Sequence, residues 1–234
     1  MADFVLVHGA WHGAWCWKRI LPRLWAAGHR AFAVSLTGTG ERQHHLSPTI
    51  TLGTHTQDVI AVIEAEELQQ AVLVGHSYAG MLITAVADRC PERIARLVYL
   101  DALVPNPGES WSSTHAPTTQ AQRRQAIAAT GVIPPPDPAQ FGLSGDDAAW
   151  VERRQRPHPG GLYDEPLHFD AARVAALPRI FIDCIAPALP TVAVMRERVR
   201  QEPGWQVLEI ATGHDAMISA PQGLLDALLS LSPP

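Results

Sequence analysis

The chain has 234 residues, of which 47% are hydrophobic and 18% charged, with a formal net charge of −5. These values belong to a globular chain long enough to bury one continuous core, and they exclude a collagen-like or disordered polypeptide. Charge is spread without basic runs, so neither nucleic acid nor a membrane is expected as a partner, and no apolar stretch approaches the roughly 20 residues that span a bilayer.

The opening MADFVLVHGA lacks the basic n-region of a secretory signal and moves at once into a strand over Phe4–Val7. A helical pattern over about Trp15–Ala27 follows, with Trp15 and Trp17 expected to pack it against a sheet, and then a strand over Ala31–Ser35. Gly38 and Gly40 in SLTGTGER do not make a dinucleotide loop, because Gln43 stands where GxGxxG requires its third glycine. Next come a helix over Thr56–Leu68 capped by Thr54 or Thr56, a strand over Ala71–Val74, a helix over Tyr78–Arg89 ended by Pro91, and a strand over Leu97–Leu100. Strands over Ile180–Asp183 and Gln206–Ile210 then alternate with helices over Val192–Gln201 and Gln222–Leu231. Short β-rich runs alternating with helical patterns predict a mostly parallel sheet with helices on both faces.

From Val104 to about Arg173 the alternation breaks into Pro- and Gly-rich text, including PNPGES, VIPPPDPAQFG and RPHPGG, with helix-like patches at Thr119–Ala129 and Asp146–Arg153. Structureless loops of that length are uncommon inside a compact domain, so the segment is expected to be an inserted cap within one domain spanning residues 1–234. Cys16, Cys90 and Cys184 have neither zinc-site spacing nor the density of a disulfide scaffold, and a reducing cytoplasm is the expected compartment.

LVGHSYAG places Ser77 between a strand and a helix, with Gly75 two residues before it and Ala79 two after. This is the strand–turn–helix setting of a nucleophile elbow, with GxSxA in place of strict GxSxG. Read more plainly, Ser77 is the N-cap of a tight turn. A serine hydroxyl becomes nucleophilic only when a base takes its proton, and eleven histidines are available. His76 is expected to bond beneath the turn. His214, in IATGHDAMIS, follows the last strand, at the sheet edge where open α/β sheets carry their sites.

VLVHGAWHGAWCW, LTGTGER, LVGHSYAG and TGHDAM together resemble an α/β-hydrolase over nearly the whole chain, within the group of plant methylesterases, hydroxynitrile lyases and bacterial esterase-like proteins. The resemblance implies an oxyanion hole from the backbone N–H groups of Ala10 and Tyr78. It places Trp11 and His12 at the pocket. Lyases of the group carry a threonine and a lysine where this chain has Gly9 and Asp215, and both departures favour an ester substrate. Relatives usually place the triad acid just after the strand ending near Cys184, but CIAPALP holds no carboxylate there. Asp101, at the end of the strand after the elbow helix, and Asp183 remain as candidates. Asp101 is preferred, because Asp183 falls about three residues early; Asp215 is too near His214 in sequence to reach its far ring nitrogen.

The expected protein is a serine carboxylesterase cleaving a small or medium, mostly apolar ester through an acyl-enzyme, as a monomer or homodimer. No metal or organic cofactor is implied, since the histidines lack HExxH-type spacing. Trp111 and Trp150 are expected to contact substrate, with Phe141 and Tyr163 as further aromatics of the cap. Alternatives on the same fold are a lactonase, thioesterase or C–C lyase, and outside enzymes a non-catalytic ligand-binding protein.

Overall fold

The computed structural model describes residues 1–231. Its strands are β1 (Asp3–Val7), β2 (Arg30–Val34), β3 (Ala71–His76), β4 (Ile94–Leu100), β5 (Val132–Ile133), β6 (His158–Pro159), β7 (Arg179–Cys184) and β8 (Trp205–Ile210). Six of them form one sheet in the order β2-β1-β3-β4-β7-β8, and every pair is parallel. All six residues of β3 are buried, as expected of a central parallel strand covered on both faces. The order reverses around β1 and β3, so the chain leaves the sheet on opposite sides there and opens a crevice at the carboxyl ends of the strands. Register places Gly75 level with Val7 and with Tyr99, which brings the loops after β1, β3 and β4 together at that edge.

The helices are α1 (Leu21–Ala26), α2 (Leu52–Ala65), α3 (Ala79–Arg89), α4 (Pro117–Thr130), α5 (Gly145–Glu152), α6 (Ala171–Ala175), α7 (Ala193–Gln201), α8 (Ala216–Ser219) and α9 (Pro221–Ser230). Two expectations are corrected. The first helix is split into a 3₁₀ segment, Ala14–Arg19, and α1, whose Pro22 is tolerated because first-turn N–H groups have no intrahelical acceptor. α2 begins at Leu52 and is capped by Thr51, not Thr54 or Thr56. The Thr51 hydroxyl accepts the Thr54 N–H at 3.1 Å, and the Thr54 hydroxyl accepts the Thr51 N–H at 3.2 Å. Thr56 instead donates its hydroxyl to the Leu52 carbonyl.

Between β4 and β7 the chain carries α4, α5, α6, two 3₁₀ turns and the antiparallel β5–β6 pair. Its Trp111, Ile133, Phe141, Val151 and Tyr163 are buried in the same apolar core as the sheet. Trp17 is fully buried beneath the first helical segment, and Trp15 is partly buried. Among the described residues no helix is long and apolar enough to cross a membrane.

Candidate active site

β3 runs directly into Ser77, whose φ of 56° lies in the left-handed region. That conformation costs a non-glycine residue about 1 kcal/mol and persists only where the surroundings fix it. Here the Ser77 N–H donates to the Leu100 carbonyl at 3.2 Å, and the Ser77 carbonyl accepts from Gly80 at 3.1 Å and Leu103 at 3.0 Å. Two glycines permit the turn. A Cβ on Gly75 would lie 2.8 Å from the Ala79 carbonyl oxygen, and one on Gly80 would lie 1.9 Å from that of Leu103. The tight approach on the helix side therefore falls at Gly80, which is why alanine is tolerated at position 79.

Asp101 follows β4 directly, also with positive φ (42°), and its N–H donates to the Ile182 carbonyl at 2.8 Å. One carboxylate oxygen, Oδ2, stands 2.7 Å from Nδ1 of His214. His214 lies beyond β8, on a loop held by its own N–H donating to the Phe141 carbonyl at 3.0 Å. Ser77, Asp101 and His214 line one cavity of about 90 Å³. The other oxygen of Asp101, Oδ1, accepts from Nη2 of Arg196 at 2.7 Å.

Asp183 is turned away from His214. Its carboxylate accepts from Nε of Arg196, and from Nη2 of Arg200 at 2.6 Å. Arg196 and Arg200 are one turn apart on α7, so both reach the same strand end. Arg196 thus bridges Asp101 and Asp183, and it also donates to the carbonyls of Leu189 at 2.7 Å and Cys184 at 3.2 Å.

The loop after β1 is held by histidines. Nδ1 of His8 lies 2.8 Å from the Gly9 carbonyl oxygen, while its Nε2 accepts the Leu36 N–H at 3.3 Å. The proton therefore belongs on Nδ1, and burial pushes the His8 pKa down to about 3. In a planar trans peptide the carbonyl of Gly9 and the N–H of Ala10 point in opposite directions, so fixing one aims the other. Gly9 has no room for a side chain: its Cβ would lie 2.8 Å from both Nδ1 of His76 and Cβ of Ser77. Trp11 has a φ of 64°, and its indole N–H donates to the Ile133 carbonyl at 3.1 Å.

His12 and Trp150 were expected at the pocket, and the structure places them elsewhere. His12 is buried, with Nδ1 2.8 Å from the Ala10 carbonyl oxygen and Nε2 3.2 Å from Oδ2 of Asp215. Burial disfavours its charged form, but the charge and hydrogen bond of Asp215 outweigh burial and raise its pKa. Asp215, also buried, is brought down to about 2, chiefly by the His12 charge acting against burial. Trp150 packs edge-on against Trp15, ring centres 5.1 Å apart, because α5 directs it toward the first helical segment and the guanidinium groups of Arg19 and Arg154. His76 lies under the turn, Nε2 3.1 Å from the His214 carbonyl oxygen. Trp11 and Trp111 do line the cavity, with Phe141, Gln140, His115 and Arg123. Arg123 and His115 carry no local signature in the sequence, and for Arg196 the four-residue spacing from Arg200 on one helix face is the one available signal.

The model of the alpha/beta hydrolase family matches residues 4–227, and the chain belongs to that family. A carbendazim hydrolyzing esterase from Nocardioides sp. (strain SG-4G) is 39% identical over 241 residues, covering 99% of this chain and all of the relative. Methylesterase 7 of Arabidopsis thaliana is 27% identical over 248 residues, covering 98% of this chain and 95% of the relative. Among solved structures, an extracellular alpha/beta-hydrolase from a Paenibacillus species, described as sharing homology with tobacco salicylic acid binding protein 2, superposes with a TM-score of 0.86. It does so at 21% identity over the full length of both chains, a likeness of fold.

Proposed function

We propose that the chain is a serine carboxylesterase that cleaves a small or medium, largely apolar ester through an acyl-enzyme. The observation that carries this reading is the Asp101–His214 hydrogen bond in the same small cavity as the strained Ser77. Two esterase relatives that align along nearly the whole chain support it.

In this reading His214 takes the Ser77 proton as the hydroxyl oxygen attacks the ester carbonyl, then returns it to the departing alcohol. His214 next draws a proton from water, which attacks the acyl-enzyme and frees the acid. Asp101 fixes the imidazole with its proton on Nδ1, leaving Nε2 as the base, and stabilises the imidazolium that forms. The N–H groups of Ala10 and Tyr78 meet the charge on the tetrahedral oxygen; each such donor is worth about 10²- to 10³-fold in rate. Asp215 faces His12 rather than the cavity, so the residue after His214 supplies no cation for a cyanide leaving group, which disfavours cyanohydrin cleavage.

The test is pre-steady-state hydrolysis of p-nitrophenyl esters, with carbendazim, lactones, thioesters and cyanohydrins in a parallel panel. An acyl-enzyme burst, and fluorophosphonate labelling that maps to Ser77 and is lost in Ser77→Ala, are expected. No burst with short or medium chains, together with an unlabelled Ser77, would overturn the reading.

A further inference from the structure

Arg123, on α4, lines the cavity that also holds Ser77 and His214. Its guanidinium carbon lies 5.0 Å from the ring centre of Trp111, 5.4 Å from that of Trp11 and 5.5 Å from that of Tyr163. Its Nη1 donates to Nε2 of His115 at 3.1 Å, and the other ring nitrogen of His115 faces the Tyr163 hydroxyl, also at 3.1 Å. Among the described residues no carboxylate lies within ion-pair distance of it, whereas its neighbour Arg124 is paired with Asp164 at 2.9 Å.

This is an uncompensated cation in the catalytic cavity. Aromatic faces attract a guanidinium but carry no net charge, and His115 adds none: burial first, and then the Arg123 charge, push its pKa down to about 3. Burial likewise lowers the Arg123 pKa from its ordinary value. A partly buried guanidinium without a counterion is matched best by a planar oxyanion, which its fork of N–H donors can bind through two parallel hydrogen bonds.

Its position also says where that anion belongs. Arg123, Trp11, Pro136 and Gln140 line both the cavity of about 90 Å³ and an adjoining one of about 320 Å³. Arg123 therefore stands on the wall shared by the cavity at Ser77 and its neighbour, so a substrate with its ester group at Ser77 and a chain long enough to reach that wall meets the guanidinium.

We propose that Arg123 is a carboxylate-binding subsite, and that the preferred substrates are half-esters of dicarboxylic acids, in which a short apolar spacer separates the scissile ester from a free carboxylate. The proposal rests on the esterase reading and revises its substrate class, from a largely apolar ester to one that is apolar beside the scissile bond and anionic at its far end.

The experiment compares kcat/KM for monomethyl succinate, glutarate and adipate with that for methyl butyrate, valerate and hexanoate, in wild type, Arg123→Lys and Arg123→Met. The ratio of charged to neutral substrate is the readout, and fluorophosphonate labelling of Ser77 reports a folded site in each variant. Wild type is expected to favour the best half-ester by about tenfold or more, the span of one charged hydrogen-bonded contact. Arg123→Lys should keep part of that preference, and Arg123→Met should bring the ratio to about one or below. If neutral esters are hydrolysed as well as half-esters by wild type, or if the preference survives in a labelled Arg123→Met, the subsite is refuted and the esterase stands. If no ester is hydrolysed and Ser77 stays unlabelled, both fail.

Discussion

Arg196 places Nη2 2.7 Å from Oδ1 of Asp101, on the side of the carboxylate opposite His214. The acid of the proposed triad is therefore held between the imidazole it orients and a guanidinium anchored on Asp183. Asp101→Asn is expected to lower kcat by about 10⁴-fold, because an amide cannot hold the imidazole in the working tautomer as a carboxylate does. Asp183→Asn should act on stability instead. It weakens the hold on Arg196, which keeps Asp101, and on Arg200, which keeps Glu209 at 2.8 Å, so the loss should stay below the about 3–5 kcal/mol of a buried pair broken outright. Kinetics with a p-nitrophenyl ester and urea unfolding of both variants separate the two roles, and the opposite ranking in kcat would remove Asp101 from the triad.

The pH dependence of stability should be set by buried histidines of two kinds. His8, His55, His76, His115 and His158 all have pKa values pushed below 6.5, burial being the first cause in each; His8 and His115 fall to about 3 and His55 to about 4. Each is neutral when folded and takes up a proton more readily when unfolded. The contribution of these five is therefore complete above about pH 7 and falls as pH drops through 6.5 toward the folded values, by about 1.4 kcal/mol per pH unit for each histidine. His12 has the opposite sign: its pKa is raised, so its contribution is full below 6.5 and lost as pH rises through the folded value. Asp215, depressed from 3.8 to about 2, loses its contribution only across that acid interval. Urea midpoints should therefore fall steeply from pH 7 toward 4, and His12→Gln should flatten the alkaline limb while leaving the slope from pH 7 toward 4 in place. An unchanged alkaline limb would rule out the charged His12–Asp215 pair.

The strands were legible because a parallel strand covered on both faces needs an unbroken apolar run, and AVLVGH is such a run. The elbow was legible because steric demands leave small residues in the sequence, although Gly80, not position 79, meets the hardest one. Side-chain direction was less legible. Trp150 was expected at the pocket, yet α5 turns it toward Trp15; the early position of Asp183 already counted against it, and α7 draws it to its arginines. Arg123 and Arg196 reach the site from helices far along the chain, and no local pattern encodes such long-range meetings.

His8 is expected to act on rate more than on binding. Its Nδ1–H fixes the Gly9 carbonyl and thereby the direction of the Ala10 N–H, the proposed oxyanion donor, whose partner carries charge only once the tetrahedral intermediate forms. His8→Leu removes that bond and should lower kcat by about tenfold to a hundredfold, less than outright loss of an oxyanion donor, with KM changed little. His8→Asn, which retains an N–H donor, should recover part of the loss. A fall in kcat/KM carried by KM alone would refute the positioning role.

Gly9 marks the clearest boundary between this chain and the lyases it resembles. Any Cβ there meets Cβ of Ser77 and Nδ1 of His76 at 2.8 Å, and His76 in turn is bonded to the His214 carbonyl. A threonine at this position therefore presses on both the proposed nucleophile and the loop of its base. Gly9→Thr is expected to cost about 1–3 kcal/mol by overpacking, and to lower ester hydrolysis by about 10²-fold, since displacements of about 1 Å at a reacting centre have that effect. Adding Asp215→Lys should not create cyanohydrin cleavage. It sets a second cation against His12 in a buried site where Asp215 now supplies the counter-charge. The check is ester turnover and cyanide release measured side by side in Gly9→Ala, Gly9→Thr and the double variant. Gly9→Ala makes the same Cβ contact as threonine, so full activity in that variant would show that the loop yields and that packing at Gly9 does not set the chemistry.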